Sequence, residues 1–293
     1  MYHGNLAASI AGPLSRGRPV IAWNVRQSLY DISAEKRLTR YVIRANRLLG
    51  ERADAIIYNS EISRSQHETF GFETARAQVI PNGFDLKRLV PDTQMGALVR
   101  TELGLPGETL VIGQVSRFHP MKDHASFLRA AVTVARGNNR VRFLVIGRDV
   151  TPNNPALAGI VPADLLDRFH FTGERSDSQR LMRAMDLFCL SSWSEAFPNV
   201  LGEAMSCGVP CVTTDVGDSA AIVGETGIVV RPSDSEALAR GLWTMVDKTD
   251  RERRALGQAA RARIETNFAL DSMVEHYARL YRDLVGYRRG EGA

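Results

Sequence analysis

Four side chains in this sequence stand at spacings suited to a phosphorylated, hydroxyl-rich ligand. Arg117 and Lys122 have four residues between them in SRFHPMKD, and Glu195 and Glu203 have seven between them in SEAFPNVLGEAMSCGVP. Arginine offers a flat bidentate fork and lysine a flexible point charge, so the pair could meet an anionic group. Carboxylates accept hydrogen bonds and so suit hydroxyl groups. Spacing alone leaves a plainer reading open: two surface cations near a proline turn, an acidic first helical turn, and a solvated loop glutamate.

The elements around these residues favour the chemical reading. The apolar run Leu187-Phe188-Cys189-Leu190 predicts a buried strand, and a polar loop follows. A helix should start near Pro198 or Asn199, since Pro is at home in a first turn and Asn is a good cap. Gly208-Val209-Pro210 should stop it, and Cys211-Val212-Thr213 reads as the next strand. The loop thus lies at the carboxyl end of a strand, where open α/β sheets bind ligands. Glu195 in the loop and Glu203 in the first turns can both face the positive end of the helix. A phosphate there with several hydroxyls around it describes a sugar nucleotide. Upstream, Leu110 to Val115 predicts a strand that runs directly into the Arg117–Lys122 loop.

Glu195-Ala196-Phe197-Pro198-Asn199, Glu203-Ala204-Met205 and Gly208-Val209-Pro210 resemble the E-x7-E signature of retaining glycosyltransferases, specifically glycosyltransferase family 4, the group 1 glycosyltransferases of GT-B fold. The Arg117–Lys122 loop resembles the family's R-x4-K motif, and Val79-Ile80-Pro81-Asn82-Gly83-Phe84-Asp85 its VIPNG-x-D segment at the domain junction. The resemblance implies that Arg117 and Lys122 bind the donor diphosphate, that Glu195 contacts hydroxyls of the donor sugar, and that Glu203 holds the ribose. It places backbone amides of Phe197, Pro198, Asn199 and Val200 near the sugar and diphosphate, and the nucleotide base against Gly173, Glu174 and Arg175. Gly217 is the turn facing the same crevice, with Asp218 a mild departure from a glycine often found there. Asn24 aligns with a family histidine beside the reacting sugar. Asn cannot exchange a proton at neutral pH, which puts a general base in doubt and leaves Asn24 and Arg26, with Gln27, as acceptor-side or phosphate contacts.

The implied architecture is α/β and GT-B-like: a complete C-terminal doubly wound, parallel-sheet (Rossmann-like) domain plus a partial N-terminal α/β domain. The expected boundaries are residues 1–93 for the acceptor-side domain, 94–268 for the nucleotide-sugar domain, and 269–293 for a helix crossing back and a tail frayed from Tyr287 to Gly290. The Gly-rich first turn of the family's amino-terminal domain has no counterpart, so roughly half of that domain is expected to be lacking. A sheet cut there would expose a strand edge and apolar faces, predicting self-association and slow or absent sugar transfer.

Composition bounds the rest. With 44% hydrophobic and 24% charged residues the chain is an ordinary globular mixture. A net charge of +4 leans towards anionic partners, but no basic patch interleaved with aromatics points to nucleic acid. Cys189, Cys207 and Cys211 lack nearby His partners and read as small apolar packers, with no metal site expected. No apolar run approaches a membrane span, and the opening lacks a basic lead. The segment Ser33 to Leu49 predicts a basic amphipathic helix with Ser33 as its cap, Leu38, Tyr41, Val42, Ala45, Leu48 and Leu49 as its apolar side, and arginines elsewhere. Such a helix either packs on the core with a solvated basic face or lies on anionic lipid.

The sequence therefore predicts a cytoplasmic protein, or one peripheral at the inner membrane face, that moves a sugar from a UDP- or GDP-sugar to a lipid-linked, polysaccharide or other acceptor without a cofactor. Two alternatives stay open: a non-catalytic nucleotide-sugar-binding remnant, and a nucleotide-sugar epimerase on the same fold.

Overall fold

The computed structural model describes residues 1–17 and 19–289. By its internal contacts the chain divides into two compact units. The first comprises Met1–Gly83, Glu195–Phe197 and the chain from Leu270 onwards; the second comprises Phe84–Ser194 and Pro198–Ala269.

The first unit is built on three short parallel strands, β1 (Ala22–Val25), β2 (Ala55–Tyr58) and β3 (Ala77–Val79), in that spatial order. Its helices are α1 (Tyr2–Ala11), α2 (Arg37–Leu49) and α3 (Glu61–Phe70). Trp23, Val25, Ile56 and Tyr58 alternate along β1 and β2 into one core, which Ile43 of α2 and Phe72 complete. Helix α1 lies along β1: Asn5 Nδ2 donates to the Asn24 carbonyl (3.2 Å) and Trp23 Nε1 to Ser9 Oγ (3.0 Å). Helix α3 starts at Ser60, whose hydroxyl accepts from the Ser63 amide, and stops at Gly71 with φ 100°. His67, on the buried side of α3, takes the Tyr2 hydroxyl at Nε2 (2.7 Å) and meets the Ser63 carbonyl at Nδ1 (2.7 Å). Burial drives its pKa down to about 4.

Two expectations for this unit need correction. Asp31, not Ser33, caps the first turn, a 3-10 turn over Ile32–Ala34, and α2 begins only at Arg37. Its buried side is Val42, Ile43 and Asn46, while Leu38, Tyr41 and Leu48 are 68%, 55% and 73% exposed. Asn46 enters the core because its amide donates to the Tyr2 and Val42 carbonyls, at 3.0 and 2.8 Å. That swings the inward face by about one residue, roughly 100° on a helix.

The second unit holds a six-stranded, all-parallel sheet in the order β6-β5-β4-β7-β8-β9. Its strands are β4 (Leu110–Val115), β5 (Val141–Ile146), β6 (Phe169–Gly173), β7 (Leu187–Leu190), β8 (Cys211–Thr214) and β9 (Ile228–Val230). Helices α4 (Thr93–Glu102), α5 (His124–Gly137), α6 (Ser178–Met182), α7 (Asn199–Ser206), α8 (Ser219–Val223), α9 (Ser235–Val246) and α10 (Asp250–Asn267) alternate with them. Apolar residues such as Ile112, Phe143, Val145, Leu187, Cys189 and Val212 dominate the strands and form the core of this unit, as a sheet covered on both faces requires. Strand order reverses between β4 and β7, which makes their carboxyl ends the topological switch point. Cys189, Cys207 and Cys211 are buried free thiols, and burial pushes the Cys207 thiol up to about 11.

The last helix, α11, runs from Leu270 to Arg289. Of the tail expected to fray, 287–289 are helical and Gly290 lies outside the described residues. No helix among the described residues is long and apolar enough to cross a membrane.

Candidate functional site

The loop after β4 is a short run of polar turns. Pro120–Lys122 forms a 3-10 turn capped by His119, whose Nδ1 accepts from the Met121 amide at 3.2 Å. Asp123 sits in the left-handed region (φ 45°) and caps α5 by accepting from the Ser126 amide. This places Arg117 and Lys122 on either side of His119. Their charges bear on that imidazole, whose pKa is lowered first by burial, then by Arg117 and Lys122. Arg117 is exposed and forms no ion pair among the described residues.

The loop after β7 is pinned to this one. Ser191 Oγ donates to the Lys122 carbonyl (2.8 Å) and receives Gln114 Nε2 (2.8 Å). The Trp193 amide donates to the Met121 carbonyl (2.9 Å), and its indole N–H to the Pro120 carbonyl (3.0 Å). The two loops at the switch point therefore behave as one piece.

Helix α7 follows. Pro198 is its N-cap and no side chain caps it, so Asn199 is the first helical residue and not the cap expected. Pro198 is buried, Asn199 exposed and Val200 half-buried. The helix ends as predicted: Gly208 (φ 74°) returns its amide to the Met205 carbonyl, and Val209 to Ala204. Glu203 lies one turn in, with its pKa raised by burial, an effect that Gln179 and Arg88 partly offset. Gly202 is required by packing, since a Cβ there would lie 2.0 Å from the ring of Phe84. Glu195 and Phe197 lie in the β7–α7 loop, half-buried and buried respectively.

At β6, Gly173 has φ 69° and its carbonyl accepts from the Gly147 amide at 2.8 Å. Gly147 ends β5 so close to β4 that a Cβ would come within 1.8 Å of the Ser116 carbonyl oxygen. Glu174 pairs with Arg148 (3.1 Å). Arg175 is held by Asp177 (2.8 Å) and Glu102 (3.5 Å), and Arg180 joins the same two acids. Hydrogen bonding from Arg175 is the main cause that lowers Asp177 to about 2. Gly217 forms the turn after β8 with φ 53°, where the Val216 amide is taken by Ser219 Oγ.

Asn24 and Arg26 belong to the first unit and form a cluster of their own. Asn24 is inside β1, on the face opposite Trp23 and Val25, and its Oδ1 accepts from the Tyr277 hydroxyl of α11 at 2.8 Å. Arg26 donates to Asn82 Oδ1 at 2.5 Å. Sequence reasoning did not single out His119, Gly147, Ser191, Trp193 or Tyr277. Glycine directly after a six-residue strand was a usable signal for Gly147; nothing in the sequence pointed to Tyr277.

Residues 109–248 match the family described as Glycosyl transferases group 1, and residues 2–88 match Glycosyltransferase Family 4. The lipopolysaccharide core biosynthesis mannosyltransferase LpcC of Rhizobium leguminosarum bv. viciae is 31% identical over 269 residues, which cover 89% of this chain and 72% of that protein. The chain belongs to glycosyltransferase family 4. A second relative of this family 4 chain, the putative glycosyltransferase EpsF of Bacillus subtilis, is 31% identical over 172 residues, 57% of this chain. A third, the D-inositol 3-phosphate glycosyltransferase of Nocardia farcinica, is 30% identical over 263 residues, 82% of this chain. The chain spans 43% and 56% of those two relatives, about half their length. Among solved structures, Anabaena Alr3699/HepE in complex with UDP superposes with a TM-score of 0.86 at 23% identity, over 97% of this chain and 77% of that one. The fold of this family 4 member is GT-B-like α/β, as the motifs predicted.

Proposed function

We propose that this chain carries the donor site of a retaining glycosyltransferase that moves a sugar from a nucleotide-diphosphate sugar to a glycan or lipid-linked acceptor. The observation that carries this is the joined pair of loops at the switch point. Arg117 and Lys122 flank His119 there, and Ser191 and Trp193 tie them to the loop that leads into α7. Preorganised cations where a diphosphate departs stabilise the charge that develops as the glycosidic bond breaks. In this reading Arg117 and Lys122 hold the diphosphate, Glu195 orients the sugar, and Glu203 accepts from the ribose hydroxyls. The α7 start from Phe197 to Val200 and Gly217 line the sugar and diphosphate, and the backbone of Gly173 to Arg175 meets the base. UDP is the favoured nucleotide, since the similar Anabaena protein is a UDP complex.

A panel of UDP- and GDP-sugars tests it. A ligand at a hundred times its Kd adds about 2.7 kcal/mol of stability, readable as a rise in melting temperature. Product formation is then followed with and without glycan acceptors. Turnover of a nucleotide sugar with no acceptor present would indicate an epimerase. Binding without any turnover would indicate a binding remnant.

The exposed side of α2 favours a second, compatible reading, an anionic membrane surface as partner. Leu38, Tyr41 and Leu48 are exposed on the helix that carries Arg37, Arg44 and Arg47, and apolar groups among cations suit an anionic bilayer. Flotation with phosphatidylglycerol vesicles tests this, and Leu38→Asp with Leu48→Asp should abolish it. Light scattering tests the other use of such a face, self-association.

A further inference from the structure

The first unit contains a group of hydrogen-bond donors that the donor site does not use. The Tyr277 hydroxyl donates to Asn24 Oδ1 at 2.8 Å, and the Asn24 main-chain carbonyl is taken by Asn5. What Asn24 has left is its side-chain NH2, which makes no hydrogen bond among the described residues. The Arg26 guanidinium lies beside the same phenol and counteracts the upward push that burial gives Tyr277. Having only donors, it turns the phenol oxygen's lone pairs towards itself and the O–H towards Asn24. A second nitrogen of Arg26 is anchored on Asn82 Oδ1 at 2.5 Å, yet the residue as a whole is exposed. Of the carboxylates that follow in this segment, Asp31 accepts from the Ser33 amide and hydroxyl, and Glu35 accepts from Gln27 Nε2 at 2.5 Å.

The Asn24, Asn82 and Tyr277 acceptor atoms named above are thus each engaged, and what Asn24 and Arg26 themselves offer is an amide NH2 and a guanidinium charge. Sugar hydroxyls need acceptors as well as donors, whereas an amide NH2 beside a guanidinium suits oxygens that carry negative charge. We propose that Asn24 and Arg26, oriented by Tyr277 and Asn82, form a subsite for a phosphate ester on the acceptor. This rests on the reading of the first unit as the acceptor side of a transferase. The phosphate could belong to a soluble ester or to a lipid headgroup, and the two are separated experimentally.

The full chain saturated with UDP, so that Arg117 and Lys122 are occupied, is titrated with glycerol phosphate by calorimetry. In parallel it is sedimented with phosphatidylcholine vesicles with and without phosphatidylglycerol. Asn24→Asp keeps an acceptor for Tyr277 but replaces the NH2 by an anion, and should weaken binding more than about tenfold, the scale of one charged hydrogen bond. Arg26→Gln should do about the same, and Tyr277→Phe should cost a few-fold by freeing the amide to turn. UDP affinity should not change in any of them. Loss of glycerol phosphate binding in these variants supports a soluble ester, and loss of vesicle binding alone supports a headgroup. Binding of both probes that ignores Asn24→Asp and Arg26→Gln, or no binding of either probe by the parent chain, overturns the subsite. Failure of UDP to bind would instead remove the donor-site reading, and the same variants titrated without UDP would still decide this one. Melting temperatures identify any variant that is merely destabilised, and the other substitution then decides.

Discussion

The loop after β4 and the loop after β6 both bring arginine to the carboxyl end of one sheet, but their charges keep different company. Arg175 and Arg180 meet Glu102 and Asp177 in a closed network of ion pairs. Arg117 has no such acid among the described residues, and the pKa of the histidine between it and Lys122 is lowered by burial and then by both cations. One loop has satisfied its charge internally. The other carries Arg117, exposed and without an ion pair among the described residues, a charge that the proposed anionic ligand would meet. Cationic residues at a strand end are therefore not equivalent, and the acids around them set how much of their charge is already met.

The strongest test of the β4 loop is steric. Gly147→Ala would place a Cβ within 1.8 Å of the Ser116 carbonyl oxygen. Because that atom is backbone and cannot rotate away, the substitution should cost about 3 kcal/mol or more in urea unfolding. A near-neutral result would mean that the strand ends carrying Arg117 and Gly173 are not held in register by this contact.

Acid tests what underlies the same loop. His124 meets Ser116 Oγ at 3.0 Å, and burial lowers its pKa from 6.5 to about 4. Between those values the unfolded chain binds more protons than the folded one, so stability is complete above pH 6.5 and falls as pH drops towards 4. The loss should be of order 2–3 kcal/mol, and His124→Gln should flatten that part of the profile. His67 in the first unit contributes a similar slope, which the difference between parent and variant cancels.

Ligand binding tests the comparison itself. Lys122→Ala and Arg117→Ala should each weaken UDP binding by about 1.5–3 kcal/mol. Arg175→Ala, whose guanidinium is engaged by acids, should change it by less than about 0.5 kcal/mol. Equal effects in calorimetry would abolish the distinction between the loops. A smaller effect separates the carboxylates: Glu203→Gln should weaken UDP and UDP-sugar alike by about 0.5–1.5 kcal/mol, and Glu195→Gln only the sugar-bearing form.

The finest test is spectroscopic. Removing Lys122 takes away one cause of the depressed His119 pKa, so its NMR titration midpoint should move up in Lys122→Ala. It should stay put in Arg175→Ala. Because the folded-state pKa is depressed, His119 adds stability above its ordinary range and loses it as pH falls, and the variant should lose less.

What the sequence by itself determined is what depends on neighbours in the chain. Apolar runs predicted β4 over Leu110–Val115 and β7 over Leu187–Leu190 residue for residue, and Gly208-Val209-Pro210 predicted the stop of α7. The Arg117–Lys122 and Glu195–Glu203 spacings, with the strand ends beside them, identified the family on which the comparisons agree. Periodicity was less reliable where several faces were plausible. Helix α2 turned Asn46 inward and Leu38, Tyr41 and Leu48 outward, because a carbonyl of α1 was in place to accept the amide. Only the tertiary structure could show that Ser191 and Trp193 join two loops about 70 residues apart, at |i−j| of 69 and 73. Only it could show that Tyr277 reaches Asn24 across 253 residues, or that Arg175 is ion-paired while, among the described residues, Arg117 is not. The physical reason is range. Strand and helix propensity are set within a few residues, whereas a side chain's partners, and hence its charge, orientation and use, are set by whatever the fold brings within about 3 Å.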